Sequence, residues 1–392
     1  MSAPSVLHLP SGPTAVRVHP DSLRIGILST YPPTACGLAT FSAALAGGMS
    51  AAGADVSVVR ISDGSPSSSH RVVGELVNGS ATSVAASSDL LNQNDVAVIQ
   101  HEYGIYGGTA GDEIVDIIGE VDVPSIVVLH TVPKDPTPQQ RSVLEVVAAL
   151  ADQVVVMSES AHRRLCLDFH VERRKVTTIP HGAMVPAHTQ TKRAGRPTLL
   201  TWGLLGPGKG IERVIDSMGG LHQLNGRPRY LVAGRTHPKV LAADGEEYRD
   251  FCLERARSSG LSDAVHFDSG YIDGTSLTAL LRSAAVVVLP YDSTEQVTSG
   301  VLVDAIAHGR PVVATAFPHA VELLGTGAGI VVEHGNPEAL TSALRSVLTQ
   351  PRLAGAMAAE ARRLAPTMSW SVVADAYQST ARKILADRSE RQ

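Results

Sequence analysis

Short runs of β-branched and aliphatic residues recur along this chain, and the segments between them are long enough to be helices. The first series lies at 25–28, 56–60, 96–100, 125–130, 153–157 and 176–179. A second follows at 198–202, 229–233, 264–267, 286–289, 312–314 and 329–332. Such alternation is the pattern of parallel α/β architecture. Helices are expected between the runs, for example at 40–52 and 138–150. The polar stretch 185–196 interrupts the series and reads as an interdomain linker. At 392 residues the chain exceeds the size at which one core keeps growing. Two successive Rossmann-like domains, 21–190 and 197–368, with a cleft between them are therefore expected. The segment 369–386 is amphipathic, with Trp370, Val373, Tyr377 and Ile384 near helical spacing.

Composition narrows the function classes. Hydrophobic residues at 44% and charged residues at 18% describe a globular protein with ample core material. A formal net charge of −5 argues against a nucleic-acid partner. Cys36, Cys166 and Cys252 are widely spaced and in no metal-ligand pattern, which suits a reducing compartment. No apolar run approaches the ~20 residues of a membrane span. Residues 1–20 lack a basic start leading into an apolar stretch and read as a flexible tail. A cytoplasmic protein is the expectation. Arg163, Arg164, Arg173, Arg174 and Lys175 would suit peripheral contact with a membrane surface, or a solvated face.

In parallel α/β sheets ligands bind beyond the carboxyl ends of the strands. After the first run, Gly37 stands in a small-residue loop that opens a helix, whose N–H groups suit a phosphate or a sugar hydroxyl; tight helix-on-strand packing explains it as well. After the third run come His101, Glu102 and Tyr103. Adjacent side chains on an extended segment point opposite ways, so His101 and Glu102 need a turn to face one ligand. They either bond backbone groups or bind an acceptor. The H-E-x-x-H zinc pattern fails at Ile105, and no metal is read here. His130 ends its run before the loop containing Pro133, as a strand cap or a ligand. His181, in I-P-H-G, suits a hinge or cleft wall.

In the second series, the loop 202–210, W-G-L-L-G-P-G-K-G, contains Gly208 and Lys209 and meets every position of the P-loop pattern but the last, Gly210. A hydroxyl there would serve magnesium, so a P-loop-like nucleotide hydrolase is the second reading. Arg235, after the run 229–233, has the donor fork that matches phosphate. The segment 296–315, Q-V-T-S-G-V-L-V-D-A-I-A-H-G-R-P-V-V-A-T, sets an amide, Gln296, eight residues before a carboxylate, Asp304. Between them Thr298, Ser299 and Gly300 offer N–H groups and hydroxyls where a helix begins.

This segment resembles the donor-sugar site of retaining glycosyltransferases of family 4, which have the GT-B fold. In that family two glutamates separated by seven residues precede a helix and then G-x-P-V-V-A-[ST]. Gln296 and Asp304 occupy those positions in a degenerate form typical of a bacterial subgroup. The resemblance implies two Rossmann-like domains facing across a cleft, with the C-terminal helix, 369–392, crossing back onto the first. It gives the first domain to the acceptor and the second to the nucleotide sugar. The catalytic positions it implies are His130, Lys209, Gln296 and Asp304. Gly37, Gly208, Arg235, Tyr271, Thr298, Ser299 and Gly300 would bind the donor, and His101, Glu102 and Tyr103 the acceptor. The family pair G-R-x-x-x-x-K-G keeps Lys209 but has Leu204 for arginine, so the diphosphate leans on Lys209, N–H groups and Arg235. The implied reaction is metal-independent hexose transfer, of mannose or glucose, from a nucleoside-diphosphate sugar to a saccharide or lipid-linked acceptor. A noncatalytic nucleotide-sugar-binding subunit has the same motifs.

Overall fold

A computed structural model describes residues 22–187, 195–270 and 274–390. The expected tail 1–20, much of the linker and Tyr271 lie outside the described residues. The first series forms β1 (Arg24–Ser29), β2 (Asp55–Ile61), β3 (Val72–Leu76), β4 (Val96–His101), β5 (Ser125–Leu129), β6 (Gln153–Val156) and β7 (Val176–Thr178). The second forms β8 (Thr198–Trp202), β9 (Arg229–Ala233), β10 (Val265–Asp268), β11 (Ala284–Leu289), β12 (Val312–Thr315) and β13 (Gly329–Val332). The sheets run β3-β2-β1-β4-β5-β6-β7 and β10-β9-β8-β11-β12-β13. Every pairing is parallel, from β1 with β2 and β4 to β8 with β9 and β11. Each sheet thus reverses direction next to its first strand, β1 or β8, and a crevice opens at the strand ends there.

The apolar runs are continuous because both faces of each sheet are covered. Alternation along the strands divides the core accordingly. Leu28, Val59, Ile99 and Val127 join one cluster, while Ile27, Val58, Val98 and Val128 join another. The second sheet repeats this, with Leu199, Val232 and Val288 on one face and Leu200, Ala233 and Val287 on the other. β3 is the strand that sequence reading misses. It is an edge strand with Val73 half exposed, and it pairs only with β2, so no two-sided burial demands an apolar run.

The final helix, Trp370–Ser389, packs on the helix Gly37–Ala51. Val373, Ala374, Tyr377, Ala381 and Ile384 fill the cluster that contains Ile25 and Ile27 of β1. The approach is close: a Cβ on Gly48 would stand 2.9 Å from the Trp370 carbonyl oxygen. Gln378 Nε2 donates to the Met49 carbonyl at 3.0 Å, in a buried position. The sequence pattern therefore marks the right face and omits its small residues.

Tyr377 is 1% exposed, and its hydroxyl has no hydrogen-bond partner. Tyr377→Ala should cost about 3–5 kcal/mol of stability. Tyr377→Phe should be neutral or stabilising by up to ~1 kcal/mol, because it removes an unsatisfied buried group. Urea unfolding of both variants measures the difference.

Candidate active site between the facing strand ends

The loops that follow β1, β4, β5, β8, β9 and β11 carry the residues singled out in the sequence. At the first strand, Cys36 caps the helix Gly37–Ala51, its sulfur accepting the Ala39 N–H at 3.3 Å. Gly37 is exposed, and a Cβ there would meet nothing within 4 Å, so the protein's own packing does not require glycine at this position. Arg60, fully buried, fixes the loop by donating to the Tyr31 carbonyl at 3.2 Å and to Thr34 Oγ1 at 2.9 Å. Ion pairs with Asp63 and, at 2.6 Å, Glu75 hold the guanidinium in place. Nothing in a lone arginine within an apolar strand signalled this role.

The β4 end separates the expected acceptor residues. His101 is 1% exposed, edge-on to Tyr103 at 5.0 Å, and neither ring nitrogen has a partner among the described residues. Its ring is enclosed by the surrounding protein at the end of β4. Glu102 lies past the strand and accepts from Thr131 Oγ1 at 2.5 Å and from the Tyr103 N–H at 3.1 Å. Burial pushes its carboxyl up, with the nearby Lys239 acting against the shift. The Tyr103 hydroxyl donates to the Gln140 carbonyl at 3.2 Å. His130 follows β5, its Nε2 2.7 Å from Gln100 Oε1, while the Gln100 amide nitrogen is buried without a partner.

In the second domain Lys209 lies 4.4 Å above the Tyr291 ring, and desolvation lowers its pKa. The Asp292 N–H donates to the Gly208 carbonyl at 2.9 Å, tying the β8 loop to the β11 loop. Gly208 and Gly210 both have positive φ. A Cβ at Gly210 would be 2.0 Å from the Pro290 carbonyl oxygen. The hydroxyl residue that a P-loop needs is thus sterically barred at that position. Arg235 is exposed at the β9 end, and its carbonyl accepts the Leu205 N–H at 2.8 Å.

Gln296 Nε2 donates to the Thr298 carbonyl at 3.1 Å. A glutamate could not make that bond, because a carboxylate only accepts, and this accounts locally for the amide. Thr298 Oγ1 is buried and unpartnered. Ser299 is committed within the protein: its hydroxyl accepts the Leu302 N–H at 3.3 Å, and its own N–H donates to His319 Nδ1 at 2.8 Å. Both contacts order the start of the helix Gly300–Ala307, and a hydroxyl that accepts in this way keeps its own proton to donate. A Cβ at Gly300 would stand 2.9 Å from His181 Nε2, so glycine here lets the two domains touch. One helical turn on, half-buried Asp304 has its carboxyl pushed up by burial to about 7.

His130, His181, His319 and His101 surround this meeting point. Phe41 touches the rings of His130 and His181, each at 5.0 Å. Burial holds all four neutral, with His130 and His319 lowered to about 3 and His101 and His181 to about 4. His319 gave no sequence signal, because its role depends on a loop 20 residues upstream. Among the described residues no group of His, Cys, Asp or Glu is arranged to hold a metal ion, and no helix is long and apolar enough to cross a membrane. At least three of the five basic positions have partners within the fold, Arg174 through an ion pair with Glu172. Lys175 donates to the Ala149 and Ala151 carbonyls, each at 2.8 Å, and Arg164 reaches the domain seam.

Two parallel sheets whose carboxyl ends face one another define a GT-B fold, and solved structures agree. A glycosyltransferase from Rickettsia africae superposes with a TM-score of 0.73 at 14% identity, covering 93% of this chain and 99% of that one. HepE from Anabaena, in complex with UDP and glucose, gives 0.74 at 16% identity over 92% of this chain and 100% of that one. In sequence, residues 188–364 match the family described as "Glycosyl transferases group 1". A glycogen synthase of Mycobacterium tuberculosis is 30% identical over 250 residues, covering 62% of this chain and 56% of that protein. A D-inositol 3-phosphate glycosyltransferase of Kineococcus radiotolerans is 26% identical over 303 residues, 68% of each. The chain thus spans little more than half the length of the first of these relatives.

The buried ionisable groups make stability depend on pH. Each histidine is neutral in the fold but protonates below about 6.5 in the unfolded chain, so its stabilisation is full above that pH and is lost as pH falls toward 3–4. Asp304, raised to about 7, acts in the opposite sense: its cost is greatest above pH 7 and is relieved on acidification. The melting temperature should fall from pH 7 to pH 5. Asp304→Asn should stabilise the ligand-free protein at pH 8 by about 1–3 kcal/mol and steepen that fall. Calorimetry across this range checks both.

Proposed function

We propose that this protein is a retaining glycosyltransferase that moves a hexose, mannose or glucose, from a nucleoside-diphosphate sugar to a saccharide or lipid-linked acceptor without a metal. The observation that carries the reading is the pairing of loops at the second switch point. Desolvated Lys209 on the β8 loop is tied through Gly208 and Asp292 to the β11 loop, which leads into the helix Gly300–Ala307. Negative charge that grows on a leaving diphosphate would meet Lys209, Arg235 and the positive end of that helix, in a low-dielectric crevice. Gln296 has its amide oxygen and one N–H left for donor hydroxyls, and Thr298 has an unpartnered hydroxyl.

Asp304 would accept from the ribose hydroxyls, whose approach draws it to the ionised form that burial disfavours. His130, neutral and fixed by Gln100, has a hydrogen-bonding nitrogen available for a sugar hydroxyl. The leaving phosphate would take the acceptor's proton, so no separate base is required. Glu102 and Tyr103 stand at the acceptor side. The P-loop alternative is disfavoured by the clash at Gly210. The names of the relatives, a glycogen synthase and a D-inositol 3-phosphate glycosyltransferase, support transfer to a hydroxyl acceptor in general terms.

A thermal-shift screen against nucleoside diphosphates and their sugars, without and then with magnesium, tests this directly. Stabilisation by one diphosphate and its sugar in the absence of metal is expected, with release of the free diphosphate when an acceptor is added. Lys209→Ala should weaken that binding by 10- to 100-fold, the loss of a charge-assisted contact worth about 1.5–3 kcal/mol. A response to ATP alone that requires magnesium would overturn the reading.

A further inference from the structure

The loop that would grip the donor sugar is anchored in the opposite domain. Val297, 4% exposed, packs in the first-domain cluster that contains Leu129, Val132, Ala161 and Leu165. Its carbonyl accepts from Ser158 Oγ at 2.5 Å, at the start of the first-domain helix Glu159–Asp168. One nitrogen of Arg164, on that helix, donates to two carbonyls at 2.8 Å each: Val132, two residues past His130, and Glu295, one residue before Gln296. The same helix start is clasped from the other side. Glu322, on the second-domain helix Pro318–Leu323, accepts the Glu159 and Ser160 N–H groups at 3.0 and 2.8 Å and the Ser160 hydroxyl at 2.7 Å. A carboxylate at a helix's positive end is a favourable, directional contact.

We infer that Arg164 and Glu322 are positioning residues which dock the second-domain loop 295–300 onto the first-domain helix Glu159–Asp168, so that domain closure itself sets the distance between His130 and Gln296. This rests on the proposed donor role of the loop. Neither residue touches the donor. Their effect is to join the two half-sites through backbone carbonyls that lie next to the working side chains. With the seam open, Lys209 and the β8 loop remain intact within the second domain, whereas Gln296 and Thr298 lose their fixed place relative to His130.

The test is hydrogen exchange by mass spectrometry on the full chain, for the parent, Arg164→Met and Glu322→Gln. The expected result is at least tenfold faster exchange in 295–300 in both variants, with peptides from β11 and β12 unchanged. Affinity for the nucleoside diphosphate alone should stay within twofold, and kcat for transfer should fall at least tenfold. Parent-like protection of 295–300 in both variants would overturn the inference. So would a uniform rise in exchange across both sheets, since the seam would then stabilise generally without placing the loop. A parent that transfers no sugar would sink the functional proposal alone, and the exchange data would still decide the docking.

Discussion

Polar groups must be enclosed between two apolar cores without carrying charge, and the arrangement of the cleft follows from this constraint. His101, His130, His181 and His319 stay neutral because burial makes their protonated forms costly. Neutral rings can sit near one another, and a neutral His319 can accept the Ser299 N–H that orients the start of the helix. A protonated ring would repel its neighbours and lose that acceptor. The domains can therefore approach until His181 lies against Gly300. Beyond this contact the β8 loop holds Lys209, whose charged form burial also makes more costly.

The fold was largely legible in the sequence because a sheet covered on both faces writes its strands as continuous apolar runs. β3 escaped for the same physical reason: an edge strand exposes Val73 and needs no such run. The capped start of the helix Pro138–Leu150, with Thr137 and Gln140 bonding reciprocally, sits where the pattern places it. The site was legible only in part. Gln296, Asp304, Lys209 and His130 stand out because they follow strands, where ligands are to be expected. Ser299 could have been read as a helix cap from its type and place. Arg164, Glu322 and His319 could not, since their partners lie up to 163 residues away and only the folded topology brings them together. The burial of His101 at the end of β4 was not legible either, because its polarity gives no sign of it.

Glycine marks where the loops of this cleft come closest to other backbone or rings. Gly210 abuts the Pro290 carbonyl, and Gly182 lies so near the Trp370 ring that a Cβ would stand 2.3 Å from it. Those contacts leave little room for variation, while Gly37 and Gly208 have open space around them. Close contacts thus require glycine at the first pair of positions, whereas packing does not require it at the second.

The helix Trp370–Ser389 follows the second domain in the chain yet completes the core of the first. On a ribosome, β1 and the helix Gly37–Ala51 that packs on its Ile25 and Ile27 face are made early, and the apolar surface that Trp370–Ser389 buries there must wait until the second domain has been synthesised. The first domain therefore matures last although it emerges first. Its unfinished apolar face is the surface that a chaperone, or a neighbouring nascent chain, would meet during that interval.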